Sequence, residues 1–101
     1  MAVINQYAVG SKPRLTATFK LSGTLTDPGG PTFRILPPSG AATVYVYPTD
    51  AQLVKDSTGI FHVDWPIPTT GKGNWWYRFE GTDPVQDVQE AFFVAKESRF
   101  Y

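Results

Sequence analysis

The sequence predicts an all-β domain, and three of its features support that prediction. Nine prolines and nine glycines are scattered along the 101 residues and divide the chain into short segments of strand length. Within these segments large apolar side chains alternate with small or polar ones, as they do when one face of a strand packs against a core. No apolar pattern at i, i+3, i+4 and i+7 lasts for the roughly ten residues that an amphipathic helix needs.

About seven strands follow in order, each bounded by turn chemistry. Proline presets φ and glycine accepts positive φ, so segments 27–31 and 37–41 are predicted turns, the second of which closes a hairpin. In the last strand Phe92 and Val94 are predicted to point inward. Short strands with turn signals every 8–12 residues are typical of an immunoglobulin-like (Ig-like) antiparallel β-sandwich, and a small barrel is the alternative. The predicted strands are residues 12–21, 32–36, 42–47, 52–56, 59–65, 73–81 and 88–95.

Length and composition indicate one domain without covalent crosslinks. The residues are 42% hydrophobic and 15% aromatic, and we expect the sandwich at residues 10–95, an N-terminal arm at 1–9 and a C-terminal tail at 96–101. Nine basic and nine acidic residues cancel, which excludes a net field that attracts nucleic acid or an anionic membrane. The absence of cysteine excludes disulfides and thiolate metal sites. With no signal-peptide pattern and no apolar run of ~20 residues, synthesis in a cytoplasm is expected.

The fifth and sixth predicted strands contain all three tryptophans and are expected to form a strand pair. With period two, Trp75, Tyr77 and Phe79 fall on one face of the sixth strand. We expect these side chains to meet Phe61 and Leu15 between the two sheets. Burying one such side chain contributes on the order of 2–3 kcal/mol, so the aromatic cluster replaces the crosslink of antibody domains.

Three aromatic side chains are predicted to lie outside the core. Trp76 shares its face with Arg78, and Tyr45 and Tyr47 face outward if the valines that alternate with them are buried. Exposed tryptophan and tyrosine contact partner proteins or stack on sugar rings. A purely structural interpretation is also open, in which Trp76 covers the outer sheet and Arg78 pairs with a cross-strand neighbour such as Glu90.

No catalytic, cofactor or metal site is predicted. The one histidine, His62, shares a strand face with Asp64 and is expected at the surface. A His-x-Asp spacing can orient an imidazole as a general base, but no recognisable nucleophile accompanies it, and one histidine without cysteine does not make a usual zinc site. The carboxylates are dispersed and lack the spacing of a calcium loop, so we expect a protein that is not an enzyme.

Both ends of the chain carry apolar side chains that we expect to dock on a partner. Chain ends fray unless they are tied down, so aromatic and aliphatic residues at the ends favour a contact. Together with the outward residues, the predicted partner-binding residues are Val3, Ile4, Tyr7, Tyr45, Tyr47, Trp76, Arg78, Arg99, Phe100 and Tyr101.

Two motifs are the most specific in the chain: Trp-x-Tyr-Arg-x-x-Gly at residues 75–81 and Glu-x-Phe-x-Val at residues 90–94. Together with shorter motifs they resemble small Ig-like proteins encoded among the head and neck genes of tailed bacteriophages and prophages. The resemblance extends over most of the chain and is interrupted at Ser11 and Pro13. The shorter motifs are Tyr7-Ala8-Val9-Gly10, Arg14-Leu15, Asp27-Pro28, Pro38-Ser39-Gly40 and Asp56-Ser57-Thr58-Gly59-Ile60-Phe61.

The resemblance implies a non-enzymatic virion structural protein, either a capsid decoration protein or a head or neck accessory protein, made in the host cytoplasm. Its expected partners are other virion proteins of the capsid, connector or tail, bound in many copies, with no nucleic acid and no membrane. The alternative from the residues is a carbohydrate-binding module. In that module Trp76, Trp65 and the Tyr45/Tyr47 pair would stack on a glycan, for example on the host surface.

Overall fold

The computed structural model describes residues 5–97 and 99–100. Ten strands occur in these ranges, and none of the described segments is a helix of the length and hydropathy that a bilayer crossing requires. The strands are β1 (Asn5–Ala8), β2 (Arg14–Thr18), β3 (Lys20–Leu21), β4 (Thr24–Leu25), β5 (Gly29–Leu36), β6 (Thr43–Val46), β7 (Leu53–Ser57), β8 (Ile60–Asp64), β9 (Gly73–Thr82) and β10 (Asp87–Lys96).

The strands form a sandwich of two sheets and a separate two-stranded hairpin of β3 and β4. The larger sheet has the order β1-β10-β9-β5-β6, and the smaller sheet has the order β2-β8-β7. The described strand pairs are antiparallel except for β1, which runs parallel to β10. The prediction of an all-β, largely antiparallel β-sandwich is therefore confirmed, and so is the hairpin between β5 and β6.

The core lies between the two sheets and consists largely of aromatic rings. Alternation along each strand sends every second side chain inward. Phe61 of the smaller sheet contacts the ring of Tyr47, which follows β6 of the larger sheet, with centroids 5.4 Å apart. The predicted meeting of aromatic residues between the layers is confirmed, since the buried residues include Leu15, Phe19, Phe33, Ile35, Phe61, Val63, Trp75, Phe79 and Phe93, with Tyr77 packed against them.

The predicted pairing of the two tryptophan-bearing strands is wrong. β8 belongs to the smaller sheet and β9 to the larger one, so the segment between them crosses from one layer to the other. Alternation identifies a strand but does not identify its neighbour. Trp65 and Trp75 instead meet across the layers with ring centroids 5.8 Å apart, and the indole of Trp75 donates to the Gly71 carbonyl at 2.7 Å.

The predicted inward positions of Phe92 and Val94 are also wrong. Phe93 and Ala95 are the buried residues of β10, and the two predicted residues lie on the opposite face. Residues 91–95 are apolar in both phases of the alternation, so the sequence does not fix which phase faces inward. The register with β9 fixes it, because Phe93 lies opposite the buried Trp75 and stacks on it with centroids 6.0 Å apart.

The N-terminal residues in the described range lie against the sandwich. β1 adds a parallel edge strand to β10, and Val9, which follows it, is buried and donates its N–H to the Lys96 carbonyl at 2.9 Å. The predicted strand at residues 12–21 is divided into β2 and β3 at the buried Phe19. The Phe19 carbonyl accepts the N–H of Thr26 at 3.1 Å, which turns the chain into the β3–β4 hairpin.

Candidate functional site

The solvent-facing side of the larger sheet, called the outer face below, carries a band of exposed apolar side chains. Alternation along β9 places Trp75 in the core and Trp76 on the outer face, where half of the Trp76 residue surface is exposed. The predicted outward position of Trp76 is therefore confirmed. The neighbouring strands add four aliphatic residues that are between 40% and 48% exposed: Leu36, Val44, Val46 and Val88.

Cross-strand register arranges the outer face in rows. Trp76 lies opposite Phe92 on β10 and opposite Leu36 on β5, which makes an apolar row across three strands. The rings of Trp76 and Phe92 pack with centroids 4.7 Å apart. Beside this row runs a groove of about 330 Å³, whose walls include Leu36, Ala42 and Trp76. A tryptophan next to a groove can take up an apolar side chain of a partner.

The charged side chains of the outer face are paired with one another. Arg34 Nε donates to Glu80 Oε1 at 2.9 Å, and Arg78 Nη1 lies 3.6 Å from Glu90 Oε2. Arg78 Nε is 3.1 Å from Glu80 Oε1 but forms no hydrogen bond with it, so this contact is an ion pair only. The predicted cross-strand pairing of Arg78 with Glu90 is confirmed. Exposed pairs of this kind contribute about 0–1 kcal/mol each, so they orient the side chains more than they stabilise the fold.

The predicted outward positions of Tyr45 and Tyr47 are wrong. Val44 and Val46 are the exposed residues of β6, and both tyrosines pack against the core. Tyr45 stacks on Phe33 with centroids 6.2 Å apart, so β6 is inverted relative to the prediction. Both phases of this strand are apolar or aromatic, and the larger side chains fill the space between the layers.

The four aromatic residues of the predicted glycan site do not share a surface. Trp65 lies between the layers, where its ring contacts those of Tyr45 and Trp75. Tyr45 and Tyr47 also face inward, so Trp76 is the member of this set that lies on the outer face. A sugar site on this protein would therefore depend on Trp76 and the polar side chains beside it.

Among the predicted partner-binding residues at the chain ends, Tyr7 lies on the inner side of the sandwich and not on the outer face. Tyr7 packs edge-on against the buried ring of Phe93 with centroids 5.5 Å apart, which ties β1 to the core. Arg99 is exposed, and Phe100 is 93% exposed. The predicted contacts of Val3, Ile4 and Tyr101 lie outside the described residues.

His62 is buried, so its predicted surface position is wrong. β8 is the central strand of the smaller sheet, with a neighbouring strand along each of its edges, and His62 is only 6% exposed. Its Nδ1 lies 2.7 Å from Oδ1 of Asp56 on β7, and its Nε2 lies 3.7 Å from Oδ2 of Asp64. Arg14 on β2 donates to both carboxylate oxygens of Asp64, at 2.8 and 3.1 Å. These contacts connect all three strands of the smaller sheet.

Hydrogen bonds lower the pKa values of two carboxylates outside the outer face. The hydrogen bond from Arg14 holds the pKa of Asp64 below its usual value. Asp27 accepts hydrogen bonds from Lys55 Nζ at 2.6 Å and from the Gly59 N–H at 2.7 Å, and these lower its pKa in the same direction. Within residues 5–97 and 99–100 no group of three or more His, Asp or Glu side chains is arranged to hold a metal ion.

The outer face thus contains two of the predicted partner-binding residues, Trp76 and Arg78, and several that the sequence analysis missed. Arg34 and Leu36 could be found from the alternation along β5, because each adjoins the buried Ile35. The other missed residues lie on β6 and β10, whose inward phase the sequence does not fix; they are Val44, Val46, Val88 and Phe92. Comparison of the chain with protein-family models, with curated proteins and with solved structures gives no match.

Proposed function

We propose that this chain is a non-enzymatic structural protein of a bacteriophage virion, which binds other virion proteins in many copies through its outer face. The observation that carries the proposal is the apolar row of Leu36, Trp76 and Phe92, in which Trp76 is half exposed and lies beside a groove. Apolar residues scattered singly over a surface need no explanation, whereas apolar residues grouped on one face mark an interaction surface. Tryptophan and arginine are also the residues most often found at the energetic centre of protein interfaces.

The strand order supports an Ig-like domain. In that fold strands B, E and D are neighbours in one sheet, and strands G, F and C are neighbours in the other. β2, β8 and β7 have the order expected of B, E and D, while β10, β9 and β5 have the order expected of G, F and C. The two most specific motifs of the resemblance to phage head and neck proteins lie on β9, the central strand of the larger sheet, and on its neighbour β10.

Repetition in a particle makes this surface sufficient for assembly. A capsid, connector or tail presents the same neighbour many times, so a modest affinity at each contact is enough when many contacts form together. The row of Leu36, Trp76 and Phe92 forms such a contact, because it lies on the rigid strands of a sheet and needs little ordering on binding.

The experiment is incorporation of the chain into particles of the phage that encodes it. Particles are purified on a density gradient, and the chain is quantified by mass spectrometry against the major capsid protein. We expect a fixed stoichiometry for the wild-type chain and a loss of at least about tenfold for Trp76→Ala, which removes an interface centre. The matched control is Val54→Ala, which shortens an apolar residue that is 38% exposed on β7 of the other sheet.

Thermal unfolding of both variants accompanies the incorporation assay, so that a loss of folding is recognised. A wild-type chain that is absent from particles contradicts the proposed function. A folded Trp76→Ala variant that enters particles as well as Val54→Ala contradicts the assignment of the contact to the outer face.

A further inference from the structure

We propose that the outer face binds the outer face of a second copy of this chain, in a two-fold arrangement whose axis lies in the interface parallel to β9. The inference rests on the proposed function in using the same face, and it names the occupant of that face in the isolated chain. In the particle a virion protein takes the place of the second copy, so the self-contact is tested without any other protein.

The apolar row is self-complementary under this axis. β10 and β5 flank β9 on its two sides, so a two-fold axis along β9 lays β10 of one copy over β5 of the other. Phe92 then meets Leu36 of the second copy, and the reverse contact forms as well, while Trp76 meets its own counterpart. The groove beside Leu36 lies where the ring of Phe92 from the second copy arrives.

The charged row is self-complementary under the same axis. Glu90, Arg78 and Arg34 are in register across β10, β9 and β5. The two-fold axis therefore brings Glu90 of each copy to Arg34 of the other, and this pair forms twice. Arg78 and Glu80, both on β9, each face their own counterpart. Within each chain Glu80 pairs with Arg78 at 3.1 Å and with Arg34 at 2.9 Å, and Arg78 lies 3.6 Å from Glu90, which offsets the repulsion.

The charge balance favours a second copy over an acidic or basic partner. The four charged residues around the apolar row are two arginines and two glutamates that pair within the face. The whole chain has a formal net charge of zero, so two copies approach without net repulsion. A strongly charged partner would find no field of opposite sign on this face, whereas a second copy provides the matching order of charges.

The size of the sheet sets the expected strength of the contact. The ten-residue strands β9 and β10 are roughly 33 Å long, and five strands span roughly 24 Å, which limits the face to about 800 Å². A standard interface buries about 800 Å² on each partner. Because β1, β5 and β6 are shorter than β9 and β10, the contact falls below that size, and we expect a weak, concentration-dependent dimer.

The experiment is sedimentation velocity of the purified chain from about 1 µM to about 1 mM, the range that resolves weak dimers. We expect the wild-type chain to dimerise as its concentration rises. Arg34→Glu and Glu90→Arg each place two like-charge pairs in the interface, so each variant alone loses at least about tenfold in dimer affinity. The matched control Lys20→Glu, which changes an exposed residue of β3, leaves the affinity within about twofold.

Mixing the two variants gives the decisive result. In a mixed dimer the glutamate introduced at position 34 faces the arginine introduced at position 90, and the unchanged Arg34 and Glu90 face each other. Both pairs are opposite in sign, so the equimolar mixture recovers the dimer that neither variant forms alone. That recovery also shows that both variants are folded. A wild-type chain that stays monomeric to about 1 mM, single variants that dimerise normally, or a mixture that stays monomeric each overturns the inference.

The two proposals fail in different ways. A chain that stays monomeric in solution but enters particles overturns the self-contact and leaves the proposed function standing. A chain that dimerises as described but is absent from particles supports the self-contact and contradicts the proposed function.

Discussion

Removing the ring of Phe61 should cost about 3–5 kcal/mol of the free energy of unfolding. Phe61 is 1% exposed and lies between the layers, with ring contacts to Phe19 at 5.9 Å and to Tyr47 at 5.4 Å. Phe→Ala changes in a core cost about 3–5 kcal/mol, because the apolar surface is lost and a cavity is left. A domain of this size has a total stability of about 5–15 kcal/mol, so Phe61→Ala removes a large part of it.

Urea unfolding followed by far-ultraviolet circular dichroism measures this loss. The transition midpoint should fall without a change in the m-value, because the same surface is exposed on unfolding. A double-mutant cycle of Phe61→Leu with Tyr47→Leu should show a coupling of about 0.5–1.5 kcal/mol between the two rings. The exposed control Val54→Ala should change stability by no more than about 0.5 kcal/mol. If Phe61→Ala costs no more than this control, the rings do not join the two layers.

Three further predictions concern the smaller sheet and its turns. The hydrogen bond from Lys55 lowers the pKa of Asp27 in the folded chain. The stabilising contribution of Asp27 is therefore present above the unfolded pKa near 3.8 and is lost as the pH falls further. In a series of thermal melts from pH 7 to pH 2, the melting temperature of Asp27→Asn should fall less steeply at acid pH than that of the wild-type chain. Gly59→Ala should lower the free energy of unfolding in urea by about 2 kcal/mol or more, because φ is +76° and a Cβ would lie 2.6 Å from a backbone carbonyl oxygen. The control Gly23→Ala has φ +81° but open space around the new Cβ, so it should lower the free energy of unfolding by only about 1 kcal/mol. His62→Ala should cost about 2 kcal/mol by the same measurement, because it removes a buried, hydrogen-bonded side chain, and a cost below about 0.5 kcal/mol would contradict the packing described.

The sequence predicts strands well where only one phase of the alternation is apolar. β2 shows this case, since Leu15 and Ala17 are buried and Arg14, Thr16 and Thr18 are exposed. β6 and β10 have apolar residues in both phases, and their inward faces were predicted the wrong way round. The structure resolves them through register, because residues directly opposite each other on neighbouring antiparallel strands share a face.

Long-range pairing is the second limit of prediction from this sequence. Nothing in residues 59–81 indicates that β8 and β9 belong to different layers, since consecutive strands are neighbours in many sheets. The burial of His62 was missed for the same reason. Its strand β8 is the central strand of the smaller sheet, and the neighbouring strand β2 is remote in sequence, so the sequence does not show which side chains cover His62. Trp76 was predicted correctly because it lies between Trp75 and Tyr77, whose inward positions fix its own.

Oxidative footprinting of the chain, free in dilute solution and within purified particles, tests most directly whether the outer face is a contact surface. Mass spectrometry measures oxidation at Trp76 and Phe92, with Leu21 of β3, which is 48% exposed, as the reference outside the face. We expect oxidation of Trp76 and Phe92 to fall severalfold in the particle while that of Leu21 is unchanged. Equal oxidation of Trp76 in both samples would contradict the assignment of the contact to this face.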